Sequence, residues 1–131
     1  MTHALDANAV SIAFRKGDSG PARGILAHPR GSIAIPDVVR GEILFGALKG
    51  GSPRITNEIR AFLGLFPAVP FDHRCVEVYA EARAELERTG QRIGALDLMI
   101  AATALAHNLI LVTHNTREFV RVPGLRIEDW Q

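Results

Sequence analysis

Cysteine, lysine and aromatic residues are scarce in this chain. Cys75 is the only cysteine among 131 residues. No intramolecular disulfide can form, and the composition suits a reducing, intracellular setting. Nothing around Cys75 marks a nucleophile, so it reads as a buried or helix-surface thiol. Lys16 and Lys49 are the only lysines, so the positive charge is nearly all arginine. Arginine suits bidentate contacts to phosphate and carboxylate, although arginine-rich usage alone reads as background composition. The net charge of +1 gives no global basic field of the kind that announces nucleic-acid binding. Aromatics make up only 6%, too few for a generic single-strand stacking platform. The N-terminus has no basic stretch followed by an apolar core, so no secretory signal is expected. The longest apolar run, Leu98 to Thr113, is interrupted by Ala106-His107-Asn108-Leu109. That break reads as a buried helix, a turn and a buried strand, and no membrane span is expected.

What the chain does have is apolar material, 47% of its residues, enough for one compact domain over residues 1–131 with a sizeable core. Strand-like and helix-like segments alternate. Strands are expected at about Thr2–Asp6, Ser32–Pro36, Ala68–Phe71, Leu109–Thr113 and Leu125–Glu128. Between them, helices are expected near Asn8–Arg15, Ala22–Ala27, Asp37–Gly50, Pro53–Phe66, Asp72–Thr89, from Asp97 onward, and Thr116–Val120. In the long helix after Asp72, Val76, Tyr79, Ala82 and Leu86 form the expected core stripe, with Glu81, Arg83, Glu85 and Arg88 facing water. Short apolar strands separated by helices predict an α/β fold, a parallel sheet covered on both faces. Ligands in such sheets gather beyond the carboxyl ends of the strands.

Three carboxylates stand in apolar surroundings: Asp6, Glu42 and Asp97. Asp6 ends the first strand, and Asp97 opens the run LMIAATALA. Glu42 shares a helical face with Val38, Val39 and Phe45. Either aspartate alone is explained as a helix N-cap. Glu42 has no such explanation, because mid-helix acids among valines are rarely structural. Half-buried carboxylates that converge repel one another unless a cation joins them, so the trio points to a divalent-metal site. The five histidines show no zinc-type ligand spacing, and only His114 is expected near this site, as a loop-edge residue.

The segments LDANAVS, VVRGEILFGALK and RIGALDLMIAATALAHNLILVTHNTREFVRVPGLRIEDW resemble PIN-domain ribonucleases, and more narrowly the VapC-type toxins of bacterial toxin–antitoxin pairs. The resemblance runs over the whole chain. It implies a three-layer α/β/α PIN-like domain with a central parallel sheet and a magnesium- or manganese-dependent hydrolase cutting RNA. It also implies a cytoplasmic homodimer held inactive by a cognate antitoxin. Asp6, Glu42 and Asp97 match the family's acidic positions. The fourth falls on Asn115, whose amide can coordinate a cation but supplies no charge. Glu118 stands nearby, though it reads first as an exposed acid in a helix's first turn. Ala7 stands where the family often has threonine. Asn8 and Ser11 serve either as hydrogen-bonding support for the site or as caps.

On this resemblance Asp6 and Asp97 are metal ligands, while Glu42 binds metal through water or orients the attacking water. Arg15, Arg40 and Arg117 are candidates for RNA contact, although solvated surface arginine is the simpler reading of each. RNA shape around a loop is the expected basis of recognition. The helix carrying Ile55, Ile59, Phe62 and Leu63 is a candidate dimer interface or ordinary core. Phosphoryl receivers and aspartate-nucleophile phosphatases usually need a late lysine, which is missing here, and Gly17-Asp18-Ser19-Gly20 matches no phosphate-binding loop. With Asn115 in an acid's place, the alternative is a weakened PIN-like domain that binds RNA or a protein without cutting.

Overall fold

The computed structural model describes residues 1–131. In chain order the elements are β1 (His3–Leu5), α1 (Ala7–Arg15), α2 (Gly20–Ala27), β2 (Ile33–Pro36), α3 (Asp37–Gly50), α4 (Pro53–Leu63), β3 (Ala68–Val69), α5 (His73–Arg88), α6 (Ala95–Ala106), β4 (Ile110–Val112), α7 (Thr116–Phe119) and β5 (Ile127–Glu128). Helix starts follow short polar side chains. Ser19 accepts from the Ala22 amide, Ser52 from Ile55 and Asp72 from Cys75, at 3.2–3.3 Å. Gly51, at φ 78°, ends α3 where a residue with a Cβ would be strained.

The five strands pair in the order β3-β2-β1-β4-β5, all parallel. Register sets Ala4 beside Ala34 on one side and beside Leu111 on the other. Strands in such a sheet lie between helix layers, which is why they read as unbroken apolar runs. Leu5, Ile35 and Leu111 are completely buried, each burial being worth about 1.5–3 kcal/mol before entropy is set against it. The chain steps outward from β1 through β2 to β3, then crosses back to β4 on the other side of β1. Crossover helices between parallel strands cover both faces of the sheet in a three-layer α/β/α arrangement. The direction of winding reverses between β1 and β4, so the carboxyl ends of those two strands flank a crevice.

Element order follows the sequence expectation, and the differences are local. Strands β3 and β5 are two residues long, because Pro70 has no amide to extend the ladder and β5 is an edge strand. Helix α4 stops at Leu63, where Gly64 follows and its amide bonds back to Arg60. In α5 the inward stripe begins at Cys75, fully buried, and Val76 is 48% exposed. The Asp72 cap fixes the helix phase, turning residue 75 toward the core. Phe45 is likewise 66% exposed. Two three-residue steps carry it roughly 120° around α3 from the buried Val39. On α4, Leu63 is buried and Phe62 packs edge-on against Phe14, while Ile55 stays partly exposed. That helix's apolar face is therefore divided, with Leu63 in the core and Ile55, Ile59 and Phe62 partly accessible.

The C-terminus closes over α2. The Trp130 indole stacks on His28 with ring centroids 4.9 Å apart, and its Nε1 donates to Glu128 at 3.0 Å. A Cβ on Gly24 would lie 2.2 Å from the Trp130 ring. Gly24→Ala gains up to about 1 kcal/mol of helix propensity. Overpacking against a ring held on two sides costs about 1–3 kcal/mol, so the variant is expected to melt below wild type. An equal or higher calorimetric midpoint would mean that the ring swings aside freely.

Candidate metal centre

The sequence's three acids meet at the crevice between β1 and β4. Asp6 follows β1 and caps α1, its Oδ1 accepting from the Ala9 amide at 2.8 Å. It is 6% exposed. Capping and burial thus coexist in one side chain. Burial pushes its carboxyl above the usual range, against the Thr113 hydroxyl and the Ala9 amide, which hold it down; Asp129 raises it further and His114 lowers it. Asp97 lies in the first turn of α6, but the cap is Gly94, so capping does not explain it. Burial raises Asp97 first, then the charges of Glu118 and Asp6. Glu42 is raised by burial, then by Asp97 and Asp6. Its Oε1 is buried with no hydrogen-bond partner.

Asn115 follows β4 on the same edge. Its amide donates to the Thr113 hydroxyl at 3.0 Å, and its side chain makes no capping bond with α7. Glu118 exerts the largest charge effect on Asp97 and is half-buried, which corrects its reading as an exposed helix acid. A turn of helix after Asn115 carries it back toward α6, where its charge reaches Asp97. Asp129 had no mark in the sequence. It follows β5, and only the strand order brings that edge beside β4. It pairs with His114 Nδ1 at 3.0 Å.

Several supporting residues depart from expectation. Arg40, a candidate for RNA contact, donates to the carbonyls of Ile35, Leu63 and Phe66 at 3.3, 2.9 and 2.7 Å, so its guanidinium ties β2 to the end of α4. Neither Asn8 nor Ser11 caps α1, since Asp6 does; Ser11 Oγ instead accepts from Arg15 Nε at 3.2 Å. The histidines, unspaced in sequence, do join carboxylates in space. His3, His28 and Glu128 cluster beside Trp130, and His107 meets Asp72 and Cys75. In those two clusters all ligand atoms lie within 4.8 Å of one another; the trio Asp6, Glu42 and Asp97 is set wider.

The donors at the crevice are all oxygens, the preference of magnesium or manganese over softer metals. A wide arrangement suits magnesium, which keeps several of its waters. The partnerless Glu42 Oε1 and the mutual repulsion of the acids are what a divalent cation would relieve, so the residues fit one.

A PIN domain family model matches residues 4–125. The chain is 40% identical to the tRNA(fMet)-specific endonuclease VapC of Shigella flexneri over 127 residues, 96% of each chain. It is 34% identical to ribonuclease VapC2 of Rickettsia felis, over 99% of this chain and 98% of that one. The DNA-bound VapBC structure from Salmonella typhimurium superposes with a TM-score of 0.93 at 29% identity, covering 100% of this chain and 99% of the other.

Because the folded chain raises the Asp6, Glu42 and Asp97 carboxyls, their protonated forms favour folding. That contribution is complete below the ordinary carboxylate range and is lost as pH rises through the raised values. In EDTA at neutral pH, Glu42→Gln and Asp97→Asn are each expected to melt a few degrees above wild type, with the gap closing as pH falls toward 4. Melting at or below wild type across that range would remove the repulsion from the account.

Proposed function

The chain belongs to the PIN domain family, and from that premise we propose that it is a divalent-metal-dependent ribonuclease, the toxin of a toxin–antitoxin pair. The observation that carries this reading is one half-buried acidic crevice at the switch point of a parallel sheet, containing a carboxylate oxygen with no partner of its own. In this reading Asp6 and Asp97 hold magnesium or manganese, rigidly placed at a strand end and in a helix's first turn. Glu42 binds through water or orients the attacking water, Asn115 offers an amide oxygen, and Glu118 adds charge. The bound cation would lower the pKa of water and offset charge on the phosphoryl oxygens. Thr113 and the Ala9 amide fix the direction of the Asp6 carboxylate. His114, held by Asp129, faces the same edge and is positioned to meet substrate.

The proposed substrate is structured RNA, and the Shigella relative's name makes initiator transfer RNA the first to try. The proposed protein partner is a small antitoxin. A groove of about 650 Å³ between α1, α3 and α4, lined by Val10, Phe14, Ile43 and Phe62 with Glu42 in its wall, suits an amphipathic segment that delivers a basic side chain to the acids. Homodimerisation is part of the reading, and exposed Ile55 on α4 belongs to its candidate surface. A cytoplasmic setting is also part of it. No helix is long and apolar enough to cross a membrane. Glu118 counts against a non-cutting domain, since it gives back the charge that Asn115 lacks.

Partner-free protein incubated with total RNA and magnesium or manganese is expected to make discrete cuts. Asp97→Asn should lose them by at least ~100-fold, in line with a group acting in the transition state. Glu118→Gln is expected to cost more than Asn115→Ala, measured as initial rates on one mapped site. No cutting by wild type, with no heat of metal binding by calorimetry, would overturn the nuclease reading. The reverse order of the two variants would return the fourth position to Asn115.

A further inference from the structure

Beside the acids lies a feature of opposite sign. Arg92, Arg117 and Arg121 line one open cleft of about 610 Å³ with Gly90, Gln91 and Val120. Every arginine–carboxylate pair in the protein lies elsewhere, on Arg40, Arg54, Arg74, Arg83 and Arg88. Arg92 acts on Glu87 only as a minor charge effect, and that acid's hydrogen-bonded partner is Arg83 at 2.7 Å. Arg117 and Arg121 are four residues apart on α7 and the turn that extends it, where the Arg121 amide bonds to the Glu118 carbonyl at 3.1 Å. Like charges at that spacing destabilise a helix. Arg121 Nη1 donates to the Arg92 carbonyl at 2.9 Å, so the loop before α6 and the end of α7 are fixed to each other. Three guanidinium groups are thus held around one space with no carboxylate of their own.

The same two elements carry Asp97, in the first turn of α6, and Glu118, on α7 next to Arg117. An acidic crevice repels a polyanion, so substrate needs an anchor outside it. We propose that the Arg92–Arg117–Arg121 cleft binds one backbone phosphate in an unpaired loop of the structured RNA substrate, neighbouring the bond to be cut. This assignment rests on the nuclease reading above and extends it from the chemistry to the placement of substrate. Arginine suits the role because its planar fork takes two phosphate oxygens at once. Arg92 and Arg117, both exposed, supply the charge; Arg121 is a positioning residue through its bond to the Arg92 carbonyl.

The test is binding of a fluorescent single-stranded RNA in EDTA, followed by anisotropy over a salt series, with metal-dependent cleavage measured separately. The double variant Arg92→Ala/Arg117→Ala is expected to bind roughly tenfold more weakly. Its log–log salt slope should be shallower by about 0.7, the value for one lost phosphate contact. The Arg92→Lys/Arg117→Lys variant should recover most of the slope while recovering less of the affinity. Arg30→Ala, which removes one charge from the loop before β2, at the amino ends of the strands, should behave as wild type. An unchanged slope in the alanine pair, an equal loss in Arg30→Ala, or equal displacement by a polyglutamate peptide would overturn the assignment. Arginine-dependent binding without any cleavage would uphold the cleft and sink the nuclease. Cleavage and binding indifferent to both arginines would do the reverse.

Discussion

Repulsion among carboxylates confined to one crevice is the constraint around which this fold is arranged. Asp6, Glu42 and Asp97 all titrate above their ordinary range, with burial the largest cause for each. Keeping them together demands a scaffold stiff enough that none swings into water. Asp6 is held by the central strand and by its own cap on α1. Asp97 sits on α6, whose residues Leu98 and Ile100 to Ala104 are buried. Glu42 sits where α3 meets α6. Burial that costs the acids solvation also gives those elements their packing. The crevice is destabilising by itself and is tolerated because the sheet beneath it is sealed.

Much of this was legible in the chain, for physical reasons. Alternating apolar runs and turn residues give element order, because strand burial and helix capping are local properties. The three core acids stand out because each interrupts an apolar pattern. Glu118 was marked only by its nearness to Asn115 and read first as an exposed acid, because only the return of α7 toward α6 brings it to Asp97. Asp129 was invisible because its place depends on strand order, which no local pattern encodes. Arg40 illustrates the opposite error. A basic residue two positions before Glu42 looks like a substrate contact, yet its guanidinium satisfies three backbone carbonyls. Sequence proximity to an acid says little about which way a long side chain turns.

The charge distribution resolves an apparent conflict in the composition. A net charge of +1 leaves no overall attraction for a polyanion, yet the molecule places negative charge in the crevice and positive charge on its rim. Field at this scale is set by a few side chains, screened within about 8 Å at physiological salt. Glu118 and Arg117, adjacent in sequence, face different parts of this pattern. One short helix therefore carries charge of both signs, Glu118 toward Asp97 and Arg117 toward the arginine-lined cleft.

The register that seats β1 between β2 and β4 has a consequence for folding. Asp6 follows β1, and β1 pairs across more than a hundred residues of chain, His3 lying beside Ile110. Until β4 docks, Asp6 has no crevice, Thr113 is not beside it and Asp97 has no opposing charge. Contacts so distant in sequence form late. A chain in which β1 and β4 have not yet paired therefore carries Asp6, Glu42 and Asp97 without the crevice that gathers them.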